Sequence, residues 1–337
     1  MAIHCFAAFG KKEPLKPFEY EPRPLEPYDL FVRIQFCGMC HSDLHLINDD
    51  WGISHYPLVP GHEIVGTVEK TGGSVRGLEK GQRVGVGWQC GACHDCELCV
   101  SGKDNLCAGN KATCVGNFGG YGDGIVVDSR FAFPLPENLE AIGVAPLLCG
   151  GITVFSPLLS FDVRPEMAVG VVGVGGLGHL ALQFASAFGC KVTAFSGGKA
   201  KEKDARRLGA ELYVDSSKKE ELAAAASSQD FIICTASADL DWPALINTLR
   251  PEGKLCVVGV PPNDLHIPAM PLIVGRRSVC GSPIGSRGQM RVMLAFAARH
   301  GIAAEVEVFP MVKVNDALAR LAENKARYRL VLENKMA

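Results

Sequence analysis

The stretch Met167-Ala-Val-Gly-Val-Val-Gly-Val-Gly-Gly-Leu-Gly178 decides the fold of this chain. Residues 167–172 form an apolar run of strand length, and residues 173–178 have the spacing GxGxxG. An amphipathic stretch follows, and then Gly189 and a second β-type run at 191–196. This order is typical of a dinucleotide-binding βαβ unit, in which glycines let the backbone approach a pyrophosphate at the start of the helix. A glycine-rich turn without a ligand is the alternative that this context disfavours.

The chain from about residue 150 onward alternates between short apolar runs and amphipathic stretches. Further strands are predicted at 212–214, 231–234, 254–258 and 278–280, and helices at 201–208, 217–226 and 242–249. Such alternation predicts a parallel, doubly wound sheet of the α/β class.

The first part of the chain has a different pattern. Short β-type runs at 30–34, 64–68, 83–86 and 124–127 are separated by glycine and proline, and no helical period is evident before about residue 138. This pattern predicts a mostly antiparallel β domain. Residues from about 286 do not continue the later alternation and are expected to return to the first domain. The predicted domains are therefore residues 1–148 with 286–337, and residues 149–285.

Composition limits the class of protein. The formal net charge of −2 over 337 residues gives no basis for binding nucleic acid or an anionic membrane surface, and no apolar run reaches 18 residues. With no recognisable signal peptide, we expect a cytoplasmic protein whose fourteen cysteines are reduced. Clustered cysteines should then be metal ligands. The scattered ones should be small buried apolar residues, and these are Cys5, Cys190, Cys234, Cys256 and Cys280.

Four closely spaced cysteines form the most specific short motif. The motif is Cys93-x2-Cys96-x2-Cys99-x7-Cys107. Four thiolates can close a tetrahedron around one Zn²⁺, which defines a structural site rather than a catalytic one. A disulfide pair is one alternative, and a reducing cytosol disfavours it. A nucleic-acid zinc module is the other, and the lack of basic residues disfavours it. Cys90 lies just upstream and is interpreted as a spare.

A second set of candidate ligands is spread along the sequence. Cys40, the adjacent His62 and Glu63, and Cys149 provide two thiols, an imidazole and a carboxylate. Three protein ligands with a fourth position open for substrate are typical of a catalytic zinc.

Each of these residues also has a simpler interpretation. His62 and Cys149 could be ordinary core residues, and Cys37 and His41 are rival ligands close to Cys40. The position of Cys149 immediately before the predicted cofactor domain favours the catalytic interpretation, because a nicotinamide is expected there.

Together these residues resemble the zinc-dependent medium-chain alcohol dehydrogenases, most closely the cinnamyl alcohol dehydrogenase branch. Beside the four-cysteine motif and the glycine turn, the resemblance rests on Cys40-His-Ser-Asp-Leu-His45, Trp51-Gly52, Tyr56-Pro-Leu-Val-Pro-Gly-His-Glu63, Leu148-Cys-Gly-Gly-Ile-Thr-Val154, Leu208-Gly-Ala210 and Arg327-Tyr-Arg329. It implies a GroES-like β domain plus a Rossmann domain, and a homodimer formed near residues 254–284. The chain departs from the family pattern at 119–124 and at Pro283, and both departures bear on the shape of the substrate pocket.

The resemblance also implies roles for the residues near the metal. Cys40, His62 and Cys149 correspond to the catalytic zinc ligands, and Glu63 to a carboxylate that exchanges with substrate or water at the metal. Asp43 corresponds to the residue that orients His62.

Further roles follow from the same resemblance. Ser42 and His45 correspond to a proton relay, and Trp51 and Trp88 to the lining of an apolar substrate pocket. The implied cofactor contacts are Ser42, Thr153, Gly173, Val174, Gly175, Gly176, Leu177, Gly178, Thr235, Gly259, Ser282, Pro283 and Ile284.

The end of the second predicted strand indicates which nicotinamide is bound. NAD-binding proteins of this type carry Asp or Glu there for the ribose 2′-OH, whereas this chain has Ser196-Gly197-Gly198-Lys199-Ala200-Lys201. Hydroxyl, backbone N–H and ammonium groups suit a 2′-phosphate, and Lys201 aligns with the family's phosphate-binding lysine. We therefore predict NADP(H). A solvated basic helix start is the alternative.

The sequence thus predicts an oxidoreductase with two zinc ions per chain. It would transfer hydride between NADP(H) and a small primary alcohol or aldehyde of aromatic, cinnamyl or aliphatic type. An NAD-dependent polyol dehydrogenase of the same superfamily and a non-enzymatic zinc-binding redox sensor are the alternatives.

Overall fold

The chain divides into two compact units. The computed structural model describes residues 2–335. One unit comprises the residues up to Ile152 together with those from Gly285 onward, and the other is Thr153–Ile284. The predicted domain limits at 148/149 and 285/286 stay a prediction.

Strands and helices are numbered along the chain. The strands are β1 (Ile3–Ala7), β2 (Lys16–Tyr20), β3 (Asp29–Met39), β4 (Ile64–Thr71), β5 (Arg83–Val86), β6 (Gln89–Gly91), β7 (Lys111–Ala112), β8 (Gly124–Asp128), β9 (Ala132–Pro134), β10 (Ala168–Val172), β11 (Lys191–Ser196), β12 (Leu212–Asp215), β13 (Gln229–Cys234), β14 (Leu249–Val257), β15 (Ser278–Gly281), β16 (Val306–Pro310) and β17 (Arg329–Glu333). The α-helices are α1 (His41–Asn48), α2 (Glu97–Val100), α3 (Ala141–Val144), α4 (Gly150–Ser160), α5 (Gly178–Ala187), α6 (Glu202–Arg207), α7 (Lys219–Ala224), α8 (Trp242–Thr248), α9 (Ala269–Gly275), α10 (Arg287–His300) and α11 (Val314–Ala322). Short 3₁₀ helices occur at Asp104–Leu106, Ser129–Phe131, Ala145–Leu148 and Met311–Lys313.

The first unit is built on a mostly antiparallel sheet, in agreement with the predicted β domain. Its order is β16-β17-β3-β4-β5-β9, with β8 also paired to β3. Only the β16–β17 pair is parallel. The last strand, β17, lies against the long strand β3, so that Leu330 faces Met39. Alternate residues of β3, among them Leu30, Val32 and Ile34, are buried in the core.

The second unit contains the predicted parallel sheet. Its six strands have the order β12-β11-β10-β13-β14-β15, and each neighbouring pair is parallel. This is the doubly wound order 3-2-1-4-5-6 of dinucleotide-binding folds. The predicted α/β class, with a mostly antiparallel β unit and a doubly wound parallel unit, is confirmed.

One sequence prediction is wrong in the first unit. No helix was expected before about residue 138, yet α1 occupies His41–Asn48. The Asp43 carboxylate accepts the Cys40 N–H at 2.9 Å and so caps the start of this helix, while Leu46 and Ile47 are buried. Tertiary packing stabilises a helix that is too short to show a clear period.

The scattered cysteines are buried with one exception. Cys5, Cys190, Cys234 and Cys256 lie in the interior as predicted, whereas Cys280 is only partly buried. The reason is its position on β15, which is the last strand of its sheet.

Among residues 2–335, no single helix is long and apolar enough to cross a membrane. Only the bent pair Ala141–Leu148 and Gly150–Ser160 meets those criteria together.

Candidate functional site

Four side chains from three parts of the first unit come together. Cys40 caps α1, His62 and Glu63 precede β4, and Cys149 precedes α4. The potential ligand atoms of these residues all lie within 4.8 Å of one another. His62, Glu63 and Cys149 are buried and Cys40 is partly buried. The rival Cys37 is buried on β3, and neither it nor His41 belongs to this group of described residues.

Asp43 fixes the orientation of the His62 ring. Its Oδ1 lies 3.2 Å from His62 Nδ1 and accepts the Gly61 N–H at 3.0 Å. Its Oδ2 accepts the Cys40 N–H at 2.9 Å and the Tyr121 hydroxyl at 2.9 Å. A carboxylate cannot donate, so Nδ1 carries a proton, and in the neutral ring Nε2 then keeps its lone pair. This is the tautomer that a metal requires.

Glu63 is held by Arg329 on β17. The Arg329 guanidinium donates to Glu63 Oε1 and, at 2.8 Å, to the Met39 carbonyl. Burial raises the pKa of Glu63 to about 7, although the Arg329 charge opposes that rise. One carboxylate oxygen is therefore fixed by the guanidinium.

Two buried atoms of this cluster lack a hydrogen-bond partner within residues 2–335. They are Nε2 of His62 and Oε2 of Glu63. Leaving a buried polar atom without a partner costs about 1–3 kcal/mol, so such an atom calls for a partner such as a bound ion or water. Two thiols, one imidazole and one carboxylate are the donor types that Zn²⁺ prefers. The residues present therefore fit a zinc ion.

Ser42 and His45 lie on α1 next to this cluster. The Cys40 thiol donates to Ser42 Oγ at 3.5 Å. Ser42 and His45 are three residues apart and therefore share a helix face. His45 Nδ1 lies 2.8 Å from Asp50 Oδ2, a partner that the sequence analysis missed. Because Asp50 follows the helix end, no helical spacing could have predicted the pair.

Aromatic rings connect the relay candidates with the metal cluster. The His45 and Trp51 rings are 5.1 Å apart, Trp51 and Trp88 are 6.3 Å apart, and Trp88 packs edge-on against His62 at 4.8 Å. Trp88, with Ile53 among others, also lines a cavity of about 400 Å³. Trp51 is not part of that lining within the described chain.

The four-cysteine motif forms a second cluster in the same unit. Its sulfur atoms also lie within 4.8 Å of one another, and the measured Sγ–Sγ distances are 3.8 Å (Cys93–Cys99), 3.7 Å (Cys96–Cys107) and 3.5 Å (Cys93–Cys107). A tetrahedron with Zn–S bonds of about 2.3 Å has edges of about 3.8 Å, whereas a disulfide bond measures about 2.05 Å. The geometry therefore fits one zinc ion. Cys90 is outside the cluster and accepts from Asn117 at 3.7 Å.

The glycine turn of the second unit follows β10 as predicted. Gly173 has φ +88°, and the Thr235 hydroxyl donates to its carbonyl at 2.8 Å. A Cβ on Gly178 would lie 1.8 Å from the Gly173 oxygen, so this position requires glycine. A Cβ on Gly175 would meet no described atom within 4 Å, which leaves open space beside the turn. Such a turn can admit a pyrophosphate.

Most other predicted cofactor contacts lie at one edge of the parallel sheet. Gly173, Gly197, Thr235 and Ser282 each directly follow a strand, and Gly259 lies two residues beyond β14. Since the strands are parallel, their carboxyl ends share one edge, where ligands bind in this fold. Thr153 differs, because it lies within α4.

Comparisons with known proteins agree with this geometry. Residues 26–137 match the family described as alcohol dehydrogenase GroES-like domain, and residues 176–299 match the zinc-binding dehydrogenase family. An aldehyde reductase of Synechocystis is 45% identical over 332 residues, which cover 98% of this chain and 99% of the relative.

Two solved structures are also similar. A cinnamyl alcohol dehydrogenase from Sorghum bicolor has a TM-score of 0.95 at 39% identity, covering 99% of this chain and 98% of that one. A CAD from Helicobacter pylori complexed with NADP(H) has a TM-score of 0.91 at 31% identity, with 98% of both chains covered.

Proposed function

The chain belongs to the zinc-binding alcohol dehydrogenases, and on that premise we propose that it reduces aldehydes to primary alcohols with NADPH and catalyses the reverse reaction. The observation that carries the proposal is the unpartnered Nε2 of His62, buried between two thiols and a carboxylate. The family's activity requires a metal at such a place.

We assign Cys40, His62 and Cys149 as ligands of the catalytic zinc, with Glu63 as the exchangeable carboxylate. A zinc ion bound there supplies a Lewis acid for the substrate oxygen, and the nicotinamide carries the hydride. Asp43 holds the ligating tautomer of His62. Because its other oxygen is bound to Arg329, Glu63 can face the metal without leaving its own charge unpaired.

The proton that enters or leaves the substrate oxygen needs a path to solvent. Ser42 lies beside Cys40, and the partly exposed His45 is paired with the Asp50 carboxylate. An imidazole has two ring nitrogens, so His45 can be bound to Asp50 through Nδ1 and exchange a proton with solvent through Nε2. This arrangement supports Ser42 and His45 as the relay.

Two observations support NADP(H) as the cofactor. β11 ends at Ser196, and the next two residues are glycines beside open space, so no carboxylate stands where an NAD-binding protein holds the ribose. A relative with 31% identity was solved with NADP(H). A polyol dehydrogenase would be expected to carry a carboxylate at position 149 and at the end of β11, and this chain has neither.

The cavity beside Trp88 has a mixed lining, in which Trp88 and Ile53 are apolar and Lys111 is charged. Its volume of about 400 Å³ suits an aromatic or short aliphatic aldehyde. Trp88 also packs edge-on against His62, one of the proposed zinc ligands, and this contact supports the cavity as the substrate site.

The second unit has an open sheet edge and an exposed apolar helix that could bind a second copy of this chain. β15 is the last strand of its sheet, and an open strand edge is a template for pairing. Next to it in sequence, α9 has no buried residue, and Met270, Ile273 and Val274 are 65–77% exposed. We propose a homodimer through this edge, in the cytoplasm, where the metal-binding thiols stay reduced.

The test is an NADPH-oxidation screen over benzaldehydes, cinnamaldehydes, furfurals and short aliphatic aldehydes, with NADH in parallel and zinc measured per chain. Two zinc ions and a higher kcat/KM with NADPH support the proposal. One zinc ion without turnover refutes it. His62→Ala is the matched control, and should lose turnover while the four-cysteine zinc is retained.

A further inference from the structure

Two residues of β12 hold the loop that follows β11. The Tyr213 hydroxyl donates to the Gly198 carbonyl at 2.5 Å, and the Gly198 N–H donates to Asp215 Oδ1 at 2.8 Å. Both backbone polar groups of Gly198 are therefore bound from the neighbouring strand. Because β12 and β11 are paired in parallel register, with Asp215 opposite Ser196, this support is built into the sheet.

Asp215 itself has little freedom to move. It is 3% exposed, and its Oδ1 also accepts the Ser217 N–H at 3.1 Å and the Ser217 hydroxyl at 2.6 Å. Lys218 Nζ lies 3.9 Å from its other oxygen. A carboxylate bound in this way is fixed as a support for Gly198 and cannot swing out to a ribose hydroxyl.

The supported loop borders open space. Gly198 has φ +69°, which side chains other than glycine rarely adopt. A Cβ on Gly197 or Gly198 would meet no described atom within 4 Å. The loop therefore combines a fixed backbone with room for a ligand, and Lys199 and Lys201 follow it directly.

We propose that Tyr213 and Asp215 are positioning residues that keep residues 196–199 in the shape that receives the 2′-phosphate of NADP(H). The inference rests on the proposed cofactor preference. A loop that is already ordered loses less conformational entropy when the phosphate binds, so affinity rises without a new contact to the ligand.

The test compares ligands with and without the 2′-phosphate. Dissociation constants of NADPH, NADH, 2′,5′-ADP and 5′-AMP are measured by titration calorimetry for the wild type, Tyr213→Phe, Asp215→Ala and Asp215→Asn. We expect Tyr213→Phe to raise the dissociation constants of the two 2′-phosphate ligands about 3- to 10-fold, since one supporting hydrogen bond is lost. The dissociation constants of the other two ligands should change less than about twofold. No charge changes in this variant, so the selective loss cannot come from electrostatics.

The Asp215 pair provides the rescue control. Asp215→Ala frees the Gly198 N–H and should weaken the 2′-phosphate ligands further. Asp215→Asn should restore most of the affinity, because an amide oxygen can still accept from Gly198. If Asp215→Ala does not fold, Tyr213→Phe and Asp215→Asn still carry the test.

The outcomes separate the two proposals. The positioning role alone is overturned if the wild type prefers NADPH and the variants weaken the binding of all four ligands equally or of none. A wild type that binds NADH and 5′-AMP as tightly as their 2′-phosphate counterparts overturns the proposed cofactor, and the positioning role with it.

Discussion

The four hydrogen bonds to Asp43 predict a non-additive effect of two conservative substitutions. In Asp43→Asn, the new amide N–H₂ can point to Tyr121, whose hydroxyl oxygen then accepts instead of donating. The amide oxygen keeps its bonds to Gly61 and to His62 Nδ1. The Cys40 N–H and the Tyr121 hydroxyl proton lose their acceptor, so we expect a loss of about 1–3 kcal/mol per donor in the free energy of unfolding and a nearly intact zinc site.

The double variant with Tyr121→Phe removes the hydroxyl to which the new amide would donate. The amide N–H₂ now has no acceptor beside residue 121 and is satisfied only by turning toward His62. His62 must then accept at Nδ1 and carry its proton on Nε2, the atom that the metal needs. We expect a coupling free energy on the order of 1 kcal/mol or more, and zinc affinity lower by about 10- to 100-fold.

The assay is zinc retention against chelators of graded affinity, together with urea unfolding, for the wild type, both single variants and the double variant. The four-cysteine zinc is the internal reference, because none of its ligands contacts Asp43. Tyr121→Phe alone should cost about 1 kcal/mol and keep both zinc ions. The reasoning is refuted if the double variant binds zinc as well as the single ones, or if Asp43→Asn alone loses as much.

The remaining predictions concern the other parts of the molecule. Cys96→Ser should release one zinc per chain and lower the free energy of unfolding before it affects kcat/KM, and a variant that loses this zinc at unchanged stability would contradict a structural role. Gly197→Ala should weaken NADPH on the order of tenfold and NADH little, whereas Gly175→Ala should weaken both. Neither added methyl group meets a protein atom, so unchanged thermal stability is the control. His45→Gln should lower kcat roughly tenfold or more, mainly at low to neutral pH, and an identical pH profile would remove His45 from the relay. Val274→Asp should convert a dimer to a monomer by light scattering without loss of secondary structure, and a persisting dimer would place the interface elsewhere.

The fold was predictable because its signals are local and repeated. Each signal depends only on residues that are close in sequence. The signals are the apolar runs of strand length, the turn at Gly173–Gly178 and the alternation after residue 150. The helix α1 was missed because its N-cap, Cys40, and its third residue, Asp43, were interpreted as part of the metal site and not as a capping pattern. The Cys40–Asp43 pair is both a helix cap and part of the site.

The site was predictable in its residue types and less so in its contacts. Cys40, His62, Glu63 and Cys149 were chosen from the sequence as one set, and the structure brings them together. The link between Glu63 and Arg329 spans 266 positions, and no spacing rule connects residues that far apart. Such contacts depend on sheet order, here on β17 lying against β3.

The place of β17 has a consequence for biosynthesis. Arg329 is translated 180 residues after Cys149, which takes about 9–36 s at ribosomal speeds of about 5–20 residues per second. Until then Glu63 lacks the guanidinium of Arg329, and residues Phe36–Met39 of β3 lack their partner strand. During that interval the thiols must stay reduced while the metal-binding pocket is still incomplete. A chain truncated after Tyr328 would contain every proposed zinc ligand and would lack β17, the strand that completes their surroundings.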